Sequence, residues 1–246
     1  MVVNEIKGRF ASSFGGILWH FIHPVLMLLV YLFVFIYIFK LRIGAGGGTW
    51  ASAIYIMAGL FPWFIVAEGL LRGTSSLVEN AGLIQKTAFP TEILTGKAVL
   101  APVVSYGIAI VLLTAYKAVF GGYVKIILLL PVIMFFQILF TLGLAFFTAA
   151  VSVFFRDIIQ MIQILINFWI YVTPILYPMN MLPDWAKKLM FLNPLYPLVA
   201  IYQSLFLNGT IEISYLLFLM IFWSLAFFFL GSFFFIKLKY EFADWL

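Results

Sequence analysis

The sequence predicts an all-α polytopic membrane protein. The expectation is six transmembrane helices, an amphipathic N-terminal helix in the interface plane, and two short outer helices before the last span. Three observations carry it. Of 246 residues only nine are Asp or Glu and fourteen are Lys or Arg, so 9% are charged, against about 25% in a soluble domain. Apolar residues make up 65% and the mean hydropathy is +1.17. The apolar stretches are continuous and near the ~20 residues a span needs. So few charges could not cover a soluble fold of this size, which excludes an ordinary soluble enzyme, a disordered chain and a nucleic-acid binder. A transmembrane β-barrel would alternate polar and apolar over about ten residues, and these runs do not.

The first element is a helix over residues 1–22. Val3, Ile6, Phe10, Phe14, Ile17, Leu18 and Phe21 recur at steps of mostly three and four, which lays one apolar face on the membrane surface. Lys7 and Arg9 interrupt the start, so it does not read as a cleaved signal peptide. Pro24 then opens the first span, Val25–Phe39, closed by Lys40 and Arg42, and the glycines from Gly44 to Gly48 form a turn. The second span is Ala51–Leu71 with Pro62 inside it. The third is Ala98–Phe120, the fourth Ile126–Phe155, the fifth Ile158–Leu176 and the last Tyr215–Ile236. An even count puts both termini on one side. With the termini inside, Lys7, Arg9, Arg72, Lys86, Lys97, Arg156, Lys237 and Lys239 are inner, and Lys40, Arg42, Lys117, Lys125, Lys187 and Lys188 are outer. That imbalance favours cytoplasmic termini only weakly.

The connection 72–97 is the richest soluble stretch. Ser76 and Glu79 match a capping box, and Phe89-Pro90 should end the helix that the box starts. Pro90 then opens the next helix, with Thr91 and Glu92 in its first turn. The short helix carries Glu79, Asn80, Gln85 and Lys86. It is either a docking element for a cytoplasmic partner or a solvated loop. Arg156-Asp157 is either a tight turn with mutually compensating charges or a partner contact, because ionisable groups at such depth need pairing or an interface. Glu68 and Arg72, four apart, form an interfacial ion pair.

Gln160, Gln163 and Asn167 share one face of the fifth span. Amides facing lipid are costly, so this face meets another helix or a water-filled path. The proline-rich segment 177–213 reads as an outer cap. Pro183 starts a short helix over Asp184, Trp185, Ala186, Lys187 and Lys188. Leu195–Phe206 is too short to span and reads as a re-entrant or interface-lying helix buried in protein. The chain lacks cysteine, a phosphate-cradling glycine loop followed by Lys-Ser/Thr, and any paired-carboxylate or metal-ligand cluster. A non-catalytic chain follows, whose energy source is a partner.

Three stretches carry a resemblance. They are Asn80–Pro90 (NAGLIQKTAFP); Phe155–Gln160 (FRDIIQ) running on to Thr173–Pro178 (TPILYP); and Leu192–Leu195 (LNPL) with the helix to Asn208. In this order and spacing the chain resembles the ABC-2 type permeases that export polysaccharides, the membrane subunits of O-antigen, teichoic acid and capsule exporters. Within that family the Wzm-like O-antigen branch is the first choice. The resemblance covers nearly all of residues 1–246 as one domain. It implies a homodimer in the bacterial inner membrane that pairs with two copies of a nucleotide-binding ATPase. ATP and magnesium would be bound in the ATPase, with no cofactor in this chain. The substrate would be a lipid-linked polysaccharide threaded between the copies. On that reading Ser76, Glu79, Asn80, Gln85, Lys86, Arg156 and Asp157 couple to the ATPase. Pro183, Trp185, Asn193 and Pro194 belong to the outer gate. Where the family's last outer helix ends in arginine, Leu205–Asn208 has none, which puts a charge-based role there in doubt.

Aromatics are 20% of the chain. Ring faces stack on sugars without demanding one sugar, as they do on bases. Tyr31, Phe35, Tyr37, Phe168, Trp169 and Tyr171 are therefore path candidates, with Gln160, Gln163 and Asn167, although packing is the better account of any one ring. A drug or small-lipid exporter of the same superfamily is the alternative. A membrane glycosyl or acyl transferase is a further one, for which Glu68, Glu79, Glu92 and Asp157 are too scattered.

Overall fold

The computed structural model describes residues 18–38, 40, 48–86, 89–121, 125–208 and 214–246. The predicted surface helix over 1–22 and the Gly44–Gly48 turn lie almost entirely outside the described residues. The described chain is helical. Helix α1 is Leu18–Phe33, continued by a π turn over Val34–Ile38; α2 is Thr49–Glu79, α3 Ala81–Lys86, α4 Thr91–Gly121, α5 Lys125–Phe154 and α6 Ile158–Val172. A 3₁₀ turn over Met179–Met181 leads to α7, Asp184–Met190, and α8, Leu195–Asn208. Then come α9, Ser214–Leu238, a second 3₁₀ turn over Lys239–Glu241, and α10, Phe242–Trp245.

Among the described residues, four helical stretches are long and apolar enough to cross a membrane: Thr49–Glu79, Thr91–Phe120, Leu128–Phe154 and Tyr215–Trp245. The expected first and fifth spans are shorter apolar helices, Val25–Ile38 and Ile158–Val172. At 1.5 Å per residue, fifteen residues of α6 reach about 22 Å, short of the ~30 Å hydrocarbon core.

Several boundaries differ from the sequence reading. Helix α1 runs through Pro24 without a break, so this proline does not open the span. Helix α2 continues eight residues beyond Leu71, to Glu79. Ser76 and Glu79 are therefore its last turn and not a capping box. The Ser76 hydroxyl donates backwards to the Gly73 carbonyl at 2.6 Å, and Asn80 closes the helix by donating to the Ser76 carbonyl at 2.7 Å. The third span begins at Thr91, directly after Pro90 and with Glu92 in its first turn. Helix α6 stops at Val172 because Thr173, before Pro174, is held extended at φ −87°, ψ 134°.

Helix α2 is the axis of the fold. Ala53, Ile56, Phe61, Ile65, Leu70 and Leu77 are buried around its circumference, and α4, α5, α6 and α8 pack on it. Small residues let backbones approach, as in membrane helix pairs generally. Gly69 and Gly73 of α2 face Thr141 and Ala145 of α5. On the opposite face of α5, Gly143 meets the backbone of α9 at Phe227 and Gly231 so closely that a Cβ on either glycine would overlap main-chain atoms.

Polar side chains join helices inside the bundle. Gln137 donates to the Pro62 carbonyl at 2.9 Å and accepts from the Tyr202 hydroxyl at 2.6 Å, linking α2, α5 and α8. Thr74 and Thr148 bond at 2.7 Å, Ser152 donates to the Thr74 carbonyl at 2.8 Å, and Ser76 and Thr95 share a bond of 2.9 Å. Each such bond contributes about 0.6 kcal/mol on average, up to about 1.7 kcal/mol.

Candidate functional site

Helix α6 presents two unlike faces. Ile162 and Ile166 are buried, and Trp169 and Ile170 are half-buried, against α2 and its neighbours. The other face holds Gln160, Gln163 and Asn167 together with Met161, Ile164, Phe168 and Tyr171, all exposed. The amides are thus not glue within this chain. They stand beside exposed rings, with Phe168 at 65% and Tyr171 at 68% exposure.

Next to this face, α1, α2 and α6 enclose an open groove of about 580 Å³ lined by Tyr31, Phe35, Leu60, Phe64, Ile170 and Leu176 among others. Tyr31 stacks on Phe35 at 6.0 Å and on Phe64 at 6.1 Å between centroids. Phe35 is buried, Tyr31 half-buried and Tyr37 exposed. Trp169 packs edge-on against Trp63 at 6.4 Å. The six predicted rings therefore divide. Phe35 and Tyr31 both line the groove, Phe35 buried and Tyr31 half-buried, Trp169 is half-buried against Trp63, and Tyr37, Phe168 and Tyr171 are exposed.

The proline-rich segment holds two short helices, α7 and α8. Pro183 precedes α7, and α7 and α8 meet at 99°. Helix α8 is buried along nearly its whole length, with Tyr202, Leu205 and Phe206 fully enclosed. Trp185 is exposed and Pro194 half-buried. Asn193 is buried and ties the segment together. It accepts from the Trp169 indole N–H at 2.9 Å and the Leu195 amide at 3.1 Å, and donates to the Thr173 hydroxyl at 3.0 Å. The Tyr55 hydroxyl of α2 donates to the Tyr177 carbonyl at 3.2 Å, and Gln203 donates to the Pro174 carbonyl at 3.2 Å. On the surface, the Lys187 ammonium bonds the Asp184 carboxylate at 2.8 Å and holds that carboxyl below its usual range.

The opposite end of the bundle gathers the expected coupling residues. Helix α3 exposes Gln85 and Lys86 and buries Ile84; Glu79 is exposed at the end of α2 and Asn80 is half-buried in the turn between them. Ser76 is the exception: it is 3% exposed, turned inward to Thr95. Arg156 and Asp157 form an exposed turn between α5 and α6 at this same end. No ion pair joins the two among the described residues. Glu68 and Arg72 do pair, one helical turn apart on α2.

Residues 1–207 match the family model described as ABC-2 type transporter. The chain belongs to that family. It is 29% identical over 243 residues, 98% of its length, to two Klebsiella pneumoniae relatives named O-antigen export system permease protein RfbA, covering 91% of each. It is also 29% identical over 209 residues, 84% of its length, to a Myxococcus xanthus protein of the same name, covering 78% of it. As an ABC-2 transporter chain it is a membrane permease built on several apolar helices.

Sequence reasoning did not single out the end of this ABC-2 chain. Phe242 is fully buried at the α3 end with Leu77, Ile84, Leu94 and Val153. Lys239, in the 3₁₀ turn after α9, forms an ion pair of 2.8 Å with Glu92 at the start of α4. The legible signal was the run of aromatics past the last span, Tyr240, Phe242 and Trp245, separated by acids.

Proposed function

We propose that the chain is the membrane subunit of an ATP-driven exporter of a lipid-linked polysaccharide of the O-antigen type. It would work as a homodimer in the bacterial inner membrane, with six spans, both termini cytoplasmic and two ATPase subunits on the α3 side. The likeness to O-antigen export permeases along 98% of the chain is the observation that carries this reading. The exposed α6 face adds to it. A mixture of amides and aromatic rings suits neither lipid nor a chain's own core, but suits a path shared with a second copy, along which sugars slide over ring faces. Six spans require α1 and α6 to cross despite their length, which a second copy beside them and local bilayer thinning make feasible.

Coupling follows from α2. Its 31 residues form one rod from the cap, where Tyr55 meets the Tyr177 carbonyl, to the turn that holds α3. Force on α3 reaches the cap through that rod and through Gln137 and Tyr202. The chain performs no hydrolysis; the ATPase supplies the energy.

Deleting the gene should strip the cell's surface polysaccharide, and tagged protein should co-purify with an ATPase while showing no ATP hydrolysis alone. A cell that keeps its polysaccharide but fails to clear a drug or small lipid would move the assignment to that second class of substrate.

A further inference from the structure

We infer that residues Lys239–Leu246 are a brace that sets the position of α3, with Phe242 and the Glu92–Lys239 pair as its positioning residues. The inference deepens the proposed function, because it takes α3 to be the element an ATPase grips.

Six residues cannot hold a helix by themselves, since isolated helices shorter than ~12 residues are marginal even with ideal sequences. Helix α3 contains Gly82, which weakens it further, and Ile84 is the side chain it buries. Its position must come from outside. The second apolar cluster supplies it: Ile84 lies with Leu77 of α2, Leu94 of α4, Val153 of α5, Phe235 of α9 and Phe242 of α10.

The sequence past α9 is shaped to complete that cluster. The 3₁₀ turn over Lys239–Glu241 redirects the chain, so that α10 lies against α3 and the end of α5. The Phe242 ring is 0% exposed. It sits edge-on to Phe235 at 5.3 Å and tilted to Phe154 at 6.5 Å. Trp245 adds an edge contact to Phe154 at 5.4 Å. The Glu92–Lys239 ion pair pins the turn to the first turn of α4. The brace thus touches the element after α3, the element before the Arg156-Asp157 turn, and α3 itself. Any tilt of α5 or α9 at this end moves the floor on which α3 rests. Tyr240, Glu241 and Asp244 of the brace are exposed, as are Gln85 and Lys86 of α3, whereas Phe242 and Ile84 are buried, so bracing and docking use opposite faces.

The chain contains no cysteine, so spin labels at Gln85→Cys and Asp244→Cys report on α3 and the brace alone. The full chain is measured in lipid nanodiscs, with capture of its co-expressed ATPase as a second readout. A narrow distance distribution is expected in the parent. It should broaden in Phe242→Ala and return with Phe242→Leu, which keeps the apolar volume. Lys239→Glu and Glu92→Lys, each alone, should broaden it too and lower ATPase capture about tenfold, the change in dissociation constant that 1.4 kcal/mol produces. The double reversal should restore both readouts. These charge variants test the brace even if Phe242→Ala does not accumulate. Distributions that stay narrow in every variant overturn the brace. Broadened distributions with unchanged ATPase capture support the brace and overturn the docking role of α3.

Discussion

The Trp169 indole N–H donates to the side-chain oxygen of Asn193 at 2.9 Å, joining the last turn of α6 to the residue that leads into α8. The same asparagine holds the Leu195 amide and the Thr173 hydroxyl. Its side chain is therefore the fastening between the exposed α6 face and the buried cap helix. Replacing Asn193 by Leu should destabilise the folded chain by about 2–3 kcal/mol, because buried groups left unpaired cost about 1–3 kcal/mol. Trp169→Phe, which removes one bond and keeps most of the ring, should cost about 1 kcal/mol. Denaturant titration of the purified protein checks both, and the double variant should cost less than the sum if the bond is real.

Backbone contact between α5 and α9 gives a sharper contrast. A Cβ on Gly231 would overlap the Gly143 carbonyl group, whereas one on Gly82 in α3 meets nothing within 4 Å. Gly231→Leu should cost more than about 3 kcal/mol, the upper end for ordinary overpacking, since main-chain atoms cannot rotate away. It should abolish accumulation in the membrane. Gly82→Ala should raise stability by about 0.4–1 kcal/mol by restricting the unfolded chain. Expression level and melting temperature separate the two.

Gln137 occupies the middle of the bundle, donating to Pro62 and accepting from Tyr202. Gln137→Leu strands the Tyr202 hydroxyl, which is fully buried. Tyr202→Phe leaves the Gln137 side-chain oxygen without this donor but keeps the bond to Pro62. The expected losses are about 1–2 kcal/mol for the first and under about 1 kcal/mol for the second. Unfolding free energies measured in the same detergent test this order; equal losses would show that the amide works through Tyr202 alone.

The exposed amides of α6 should behave in the opposite way. Gln163 and Asn167 are exposed and have no hydrogen-bond partner among the described residues, so Gln163→Ala and Asn167→Ala should each shift stability by less than about 0.5 kcal/mol. Export of surface polysaccharide should fall, and fall further in Phe168→Ala and Tyr171→Ala. Normal export from all four variants would remove this face from the path.

What was legible in the sequence, and what was not, has a physical cause at Gly73–Ser76. Hydropathy located the apolar runs, but Gly73, Thr74, Ser75 and Ser76 looked like the start of a loop. Their hydroxyls are tolerated inside the helix because each is satisfied by the helix itself, Thr74 by the Leu70 carbonyl at 2.7 Å and Ser76 by that of Gly73 at 2.6 Å. Small residues of α5 then fill the space beside them. Polar composition marked contact between helices, not exposure to water. The same ambiguity affected α6 in reverse: spacing showed that Gln160, Gln163 and Asn167 share a face, but only the packing of Ile162 and Ile166 told which way that face turns. The brace was missed because a lone buried ring at Phe242 carries no periodicity.

The coupling end yields the last expectation. Glu79 and Lys86 are exposed on either side of Ile84, whose burial fixes the short helix between them. Charge reversal at either should leave the fold intact, since surface changes are usually within about 0.5 kcal/mol. It should alter the contact with an ATPase, because opposed like charges there cost several kcal/mol and disfavour the wrong fit. Glu79→Lys and Lys86→Glu should therefore keep normal membrane levels and melting temperature while ATP hydrolysis becomes uncoupled from polysaccharide export. Ser76→Ala, turned inward to Thr95, should do the reverse, lowering stability by about 1 kcal/mol with coupling preserved in what remains folded. Measuring export, hydrolysis and melting temperature on the three variants tests the division directly. Normal export by both charge variants would take the docking role away from α3.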